Sequence, residues 1–310
     1  MRLVFLGTPA FAVPTLERLV QAGHEVAAVV TQPDRPRGRG QNAAPSPVKE
    51  TAARLGLPVY QPERVRRPEA LEFLRGVGAD AMVVVGYGQI IPQTVIDLAP
   101  LGIINVHASL LPKYRGAAPI QWAIAEGEKV SGVTSMLLNE GLDTGDILLQ
   151  RELAIAPDDT AVTYGQRLSG VGAELMVETL RKLEAGSLTP QPQNHSRASL
   201  APILKKEDAQ ADFKSPAQRI YNRLRGFQPW PGCYTSFKGK KLAVTSAKAH
   251  SYSGNQPDGE LLVDRDQLFV ICGEKSALQL LEVQPEGKRR MTAADFIRGY
   301  RPQSGDKLGA

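Results

Sequence analysis

Five consecutive residues, Ala81-Met82-Val83-Val84-Val85, contain no polar position. An unbroken apolar run this short belongs to a strand covered on both faces, as in parallel sheets packed between helices. Similar runs occupy residues 3–6 and 25–30. Between them, from about Phe11 to Gln21, Phe11, Leu16, Leu19 and Val20 supply the apolar positions of a helix that Gly23 ends. Strand, helix, strand in that order predicts a βαβ unit with a right-handed crossover, hence a Rossmann-like α/β domain on a parallel sheet. The turn Gly7-Thr8-Pro9-Ala10 lacks the G-x-G-x-x-G spacing, so it reads as a tight turn and not as a dinucleotide site.

The pattern continues with a helix from Val48 to Leu55, a strand near Val59-Tyr60 and a helix from Pro68 to Gly76. Residues 31–47 break it. They form a long Pro- and Gly-rich insert with no periodicity, which in a compact domain is either functional or a solvated loop. Arg35, Arg37 and Arg39, spaced by Pro and Gly, suit phosphate contacts. The run that starts at Gly102 ends in Asn105 and His107, which share a face if the segment is a strand. Open α/β sheets bind ligands beyond the carboxyl ends of their strands. There an Asn can donate to a developing oxyanion and a His can move a proton near neutral pH.

A later strand at 132–138 leads into the Gly-rich stretch 139–146. Two neighbouring carboxyl ends would bring its Asp143 beside His107, where a carboxylate fixes the imidazole tautomer. No Ser or Cys stands in a nucleophile-elbow setting, which favours direct attack by an amine on a bound acyl donor over a covalent acyl-enzyme. Taken alone, Asn105 and His107 also fit an ordinary polar pair at a sheet edge. Gly86-Tyr87-Gly88, closing the 81–85 run, admits a flat ligand close to the backbone or simply turns the chain.

Residues 147–155 read as an antiparallel return strand, followed by a long helix from Thr160 to Ala185. Residues 1–187 are thus expected to form the first domain, 188–207 a polar linker, and 208–310 a second domain. The second opens with a helix at Ser215-Pro216 that carries Arg219, Arg223 and Arg225. Short alternating runs at 233–237, 241–249, 260–263, 267–272 and 277–283 then predict a small β-barrel. Basic clusters at 238–241 and 288–290, with a net charge of +5, favour an anionic partner. The two cysteines, Cys233 and Cys272, lack metal-ligand spacing and read as structural thiols; no metal is expected. No apolar run has the length of a membrane span, and the first residues enter a strand without a signal-peptide pattern, so a cytoplasmic location is expected.

Residues 105–119, from Asn105-Val106-His107 through Ser109-Leu110-Leu111-Pro112 and Arg115-Gly116 to Pro119, together with Gly141-Leu142-Asp143-Thr144-Gly145-Asp146, resemble the 10-formyltetrahydrofolate-dependent formyltransferases. The resemblance covers essentially the whole chain. It implies a formyltransferase domain followed by an OB-like domain, Asn105, His107 and Asp143 as catalytic residues, and 10-formyltetrahydrofolate as donor with no metal. It also implies a folate site bordered by Ser109, Leu110, Leu111 and Pro112, with Gly86, Tyr87, Gly88 and Ile90 at the pterin ring. The insert with Pro33-Asp34-Arg35, Gly38-Arg39-Gly40 and Pro45-Ser46-Pro47, and the later Phe227-Gln228-Pro229-Trp230-Pro231, resemble the tRNA-modifying branch of that family. That implies methionyl-initiator tRNA as acceptor, contacted through Arg35, Arg37, Arg39, Lys205, Lys206, Lys240 and Lys288, and a monomer. Ala108 stands where that family frequently has Gly, and Gln41-Asn42 where it has a more basic pair. An amino-sugar nucleotide is the alternative acceptor. A non-catalytic RNA-binding protein on an enzyme scaffold is the alternative of another class.

Overall fold

The apolar runs become strands of one sheet. The computed structural model describes residues 1–37 and 42–309. In chain order, β1 (Arg2–Gly7), α1 (Val13–Gln21) and β2 (Glu25–Val30) form the expected βαβ unit. Next come β3 (Arg35–Arg37), β4 (Asn42–Ala44), α2 (Pro47–Arg54), β5 (Val59–Tyr60), α3 (Pro68–Val77), β6 (Ala81–Val85) and α4 (Gln93–Ile96). Then follow β7 (Ile103–His107), α5 (Pro119–Ala125), β8 (Val130–Leu137), β9 (Ile147–Ala154) and α6 (Ala161–Glu184). By its contacts the chain divides into two units, one of residues 1–119, 130–154 and 165–202, the other of residues 120–129, 155–164 and 203–310.

In the first unit the sheet order is β5-β2-β1-β6-β7-β8-β9. The strands from β5 to β7 are parallel; β8 runs antiparallel to β7, and β9 antiparallel to β8. The order reverses between β1 and β6, which opens a crevice at their carboxyl ends. Every residue of β6 is buried, as its unbroken apolar run requires, and every residue of β7 is buried as well, Asn105 and His107 included. One face of the sheet, with Val4, Leu6, Met82, Val84 and Ile103, packs against Leu74 of α3 and Val95 of α4 in one core cluster. On the opposite face Gly172 of α6 sits close enough to Val106 that a Cβ there would lie 2.9 Å from Val106 Cγ1. A side chain at 172 would therefore lift the helix from the strand that carries Asn105 and His107.

The insert 31–47 departs from a loop without structure. Arg35 pairs with Ala44 and Arg37 with Asn42 in a short antiparallel ladder, which satisfies backbone groups that an open loop would leave to water. Arg39 lies outside the described residues. Residues 188–202 are likewise more than a polar tether. Gln191 bridges Ile147, Leu200 bridges Arg115, and the stretch counts with the first unit.

The second unit contains α7 (Ala217–Gly226), β10 (Tyr234–Phe237), β11 (Lys240–Ser251), β12 (Leu261–Asp264), β13 (Gln267–Cys272), β14 (Ser276–Pro285), β15 (Met291–Thr292) and α8 (Ala293–Tyr300). The strands form an antiparallel sheet of order β10-β11-β14-β13-β12, with β15 on β14. Its two edge strands are linked through the C-terminal residues. Gly309 N donates to Ser236 O of β10, and Leu261 N of β12 donates to Asp306 O, at 2.9 and 2.7 Å. Ala217, Ile220 and Leu224 of α7 and Phe296 of α8 fill the interior. The helix α8, capped by Thr292 on Asp295 N, has no counterpart in the sequence reading. Arg225 is buried and donates to the carbonyls of Ala156 and Asp159, so it serves this packing and leaves Arg219 and Arg223 as the basic residues of its helix.

Replacing Gly172 by Val should cost about 1–3 kcal/mol through overpacking at β7. A lowered midpoint in urea unfolding, with far-UV circular dichroism retained, checks it.

Candidate active site

Asn105 and His107 project from one face of β7, two residues apart. Asn105 lies opposite Val84 of β6 and Met136 of β8, and His107 opposite Thr134. The face is apolar up to this point and turns polar where the strand ends. Asn105 is 9 % exposed, and among the described residues no hydrogen bond engages its side-chain amide. A buried amide normally has a partner. This one is left with donors and an acceptor for an incoming group.

The imidazole of His107 donates from Nε2 to the Tyr114 carbonyl at 2.9 Å. A carbonyl only accepts, so this nitrogen carries a hydrogen, and the bond selects the neutral tautomer in which Nδ1 has the lone pair. Nδ1 stands 3.6 Å from Asp143 Oδ2, beyond a hydrogen bond. In that tautomer two acceptors face each other, and a proton brought between them would be held by both.

Asp143 arrives there by a route different from the expected one. Because β8 runs antiparallel to β7, its carboxyl end at Leu137 lies beside Ile104. That is three residues, about 10 Å, back from His107. The loop 138–146 folds back to cover the distance. It turns closely enough that a Cβ on Gly145 would lie 1.8 Å from Leu137 O, and Asp143 itself takes a left-handed φ of 50°. Its Oδ2 accepts from Gly116 N at 2.7 Å. The Gln193 amide donates to the carbonyls of Asp143 and Gly145 at 2.9 and 2.7 Å.

The Ser109-Leu110-Leu111-Pro112 turn is held from beneath. Thr134 Oγ1 donates to Ser109 O at 2.7 Å and accepts from Leu111 N and Gln150 Nε2. Ser109 is fully buried with its hydroxyl on Lys113 O, and Leu111 is buried, so these two shape the turn while Leu110 and Pro112 are the half-buried faces. At the end of β6, Gly86 and Gly88 are exposed with φ of 57° and 85°, and Ile90 is 91 % exposed. Tyr87 between them is buried in the apolar cluster. Its carbonyl accepts from Thr8 and Gln32, its hydroxyl has no hydrogen-bond partner among the described residues, and burial pushes the phenol up to about 12. Of the residues expected at a folate, Gly86, Gly88, Ile90, Leu110 and Pro112 offer surface, while the side chains of Tyr87, Ser109 and Leu111 do not.

Among the residues expected to meet nucleic acid, Arg35, Lys205, Lys206, Lys240 and Lys288 are exposed. The pairing of Leu242 with Pro285, and the bond from Glu286 N to Lys241 O, put Lys240 and Lys288 at one end of the second unit's sheet. Lys205 and Lys206 stand at a short 3-10 turn. Among the described residues no group of His, Cys, Asp and Glu could hold a metal ion, and no helix is long and apolar enough to cross a membrane.

Residues 1–180 match the family model described as formyl transferase, and residues 203–301 the one described as formyl transferase, C-terminal domain. The methionyl-tRNA formyltransferase of Solibacter usitatus is 62% identical over 309 residues, covering 100% of this chain and 99% of that one. This chain belongs to the methionyl-tRNA formyltransferase family. That of Koribacter versatilis is 59% identical over 310 residues, with 100% and 99% covered. Among solved structures, the sugar 3N-formyl transferase WlaRD aligns with a TM-score of 0.67 at 17% identity, covering 93% of this chain and 99% of that one. Such a likeness shows the shared fold.

For a formyltransferase the missed residues are as informative as the expected ones. Thr134 and Gln150 hold the turn after β7, and Gln193 holds the Asp143 loop. Thr134 lies inside an apolar strand and Gln193 inside a polar stretch, so neither carried a signal in one sequence. Tyr87→Phe should leave stability unchanged or raise it by up to about 1 kcal/mol, since the lost hydroxyl has no partner, and should not raise KM for the formyl donor. Thermal unfolding and steady-state kinetics on the variant check both.

Proposed function

We propose that this chain transfers the formyl group of 10-formyltetrahydrofolate to the α-amine of methionyl-initiator tRNA, with Asn105, His107 and Asp143 as the reacting side chains. The observation that carries the reading is the cluster at the end of β7: an amide without a partner beside a His lone pair that faces a carboxylate at 3.6 Å. The folate donor supplies an activated formyl carbon. The bare backbone of Gly86 and Gly88 and the half-buried Leu110 fit a flat ring brought up beside Asn105, since β6 and β7 are hydrogen-bonded neighbours.

The acceptor amine must be neutral to attack. Asp143 and His107 Nδ1 hold its N–H between them, and Nδ1 takes the proton as the new C–N bond forms. The carboxylate of Asp143 then faces a positive imidazolium and stabilises it. Asn105 donates to the formyl oxygen as negative charge gathers there. His107 returns the proton to the folate nitrogen as that C–N bond breaks, so the chain ends the cycle as it began. Holding both reactants in one cleft supplies much of the remaining acceleration.

The acceptor assignment is supported by full-length identity with the curated relatives and by the exposed basic residues of the insert and of the second unit. Arg35, Arg37 and Arg39 would meet the acceptor end of the tRNA. Lys205, Lys206, Lys240 and Lys288 would meet its backbone elsewhere, and the enzyme would act as a cytoplasmic monomer.

The deciding assay is formyl transfer to methionyl-initiator tRNA, with free methionine, uncharged tRNA and an amino-sugar nucleotide as controls. Product only on the charged tRNA is the expected result, and product on the sugar alone would move the acceptor. Asn105→Ala should lower kcat about 10²–10³-fold with little change in KM, the range for loss of one oxyanion donor. His107→Ala should abolish turnover, and Asp143→Ala should lower kcat about 10²–10⁴-fold to a measurable residue, the range for one positioned acid–base group, with the fold kept in both; near-normal activity in all three variants would refute the site. Binding to the tRNA should weaken linearly in log–log salt titration, and Lys240→Ala should reduce the slope by about one phosphate contact.

A further inference from the structure

We propose that Gln193, oriented by Arg115, is a positioning residue that holds Asp143 in reacting distance of His107. The proposal deepens the reading of Asp143 as a reacting side chain and rests on it. Three successive residues, Tyr114, Arg115 and Gly116, touch both partners of the pair. The Tyr114 carbonyl accepts from His107 Nε2, and Gly116 N donates to Asp143 Oδ2. Arg115 acts at one remove. Its guanidinium is 7 % exposed and donates from Nε and Nη2 to Gln193 Oε1 at 3.1 and 2.6 Å. Nη2 also meets His195 Nδ1 at 3.1 Å.

A guanidinium has donors only, so it dictates which end of the Gln193 amide faces it. The oxygen turns to Arg115, and the nitrogen is left for the Asp143 loop. Both N–H bonds are used there, one on the Asp143 carbonyl and one on the Gly145 carbonyl. A single amide thus closes a three-residue turn whose first residue has a left-handed φ. For a residue other than Gly that conformation persists only where surrounding contacts over-determine it. The same stretch of chain holds the other side. Ser199 Oγ accepts from Tyr114 N, Ser199 O accepts from Arg115 N, and Ala201 N donates to Arg115 O. Residues 193–201 therefore brace the tripeptide and the Asp143 loop together.

Gln193→Glu separates positioning from folding. A carboxylate still accepts from Arg115, so the buried cation stays paired, but it has no hydrogen to give the two carbonyls and repels them. The expected result is a kcat lowered about ten- to a hundredfold, the effect of a misplacement near 1 Å. KM for both substrates should stay within about threefold, and far-UV circular dichroism should show the fold retained. In an Asp143→Ala background the same substitution should add no further loss, because the two act through one group. Should Gln193→Glu not fold, Gln193→Asn keeps the amide and shortens its reach, and the same readings apply to it. Normal kcat in a folded variant, a change confined to KM, or a loss that adds in full to that of Asp143→Ala would overturn the proposal. Full activity of Asp143→Ala by itself would instead remove Asp143 from the reaction, which is a failure of the site reading and not of the brace alone.

Discussion

The buried guanidinium of Arg115 is the constraint on which the rest of the site depends. Taking such a charge out of water costs several kcal/mol unless hydrogen bonds satisfy it. The bonds that do so run to Gln193 and His195, in a stretch that follows α6 in the chain. Satisfying Arg115 therefore recruits a distant segment. That segment fixes the loop that carries Asp143, and the backbone on either side of Arg115 fixes His107 and the Asp143 carboxylate. One buried charge organises three separated pieces of chain because each bond it makes excludes alternatives of wrong polarity.

The sheet supplies the rigid side of the arrangement. β7 is covered on one face by α6, closely enough that position 172 has no room for a side chain. On the other face the apolar cluster ends near Ile103, and the polar pair begins. Asn105 and His107 thus sit on a strand locked by neighbours on both edges, while Asp143 comes from a loop that needs its own ties. Asn105 and His107 are thus built on the scaffold, while the Asp143 carboxylate is placed by hydrogen bonds of chosen direction.

Much of this was legible in the residues. The unbroken run 81–85 announced a doubly covered parallel strand, and the period of two put Asn105 and His107 on one face. Other features were not. A loop of 31–47 carries a short ladder, residues 188–202 join the first unit, and α8 passed unread. Ser109 and Tyr87, expected at the border of a folate site, turn their side chains into the turn and the core. Each of these features has the same origin. A side chain's type says what it can bond, but whether a ligand or the protein takes the bond depends on neighbours far away in the chain.

By itself, the sequence determined the strand and helix pattern, the two-part organisation, and an Asn and a His on one face of a strand end, because these follow from local periodicity and side-chain type. Only the tertiary structure decided that β8 runs backwards along β7, so that Asp143 returns to His107 by a folded loop and not along a neighbouring strand end. Strand direction is set by sheet pairing, which no local signal in the chain records. The same holds for Gln193, whose importance lies in which two carbonyls and which cation meet around one amide.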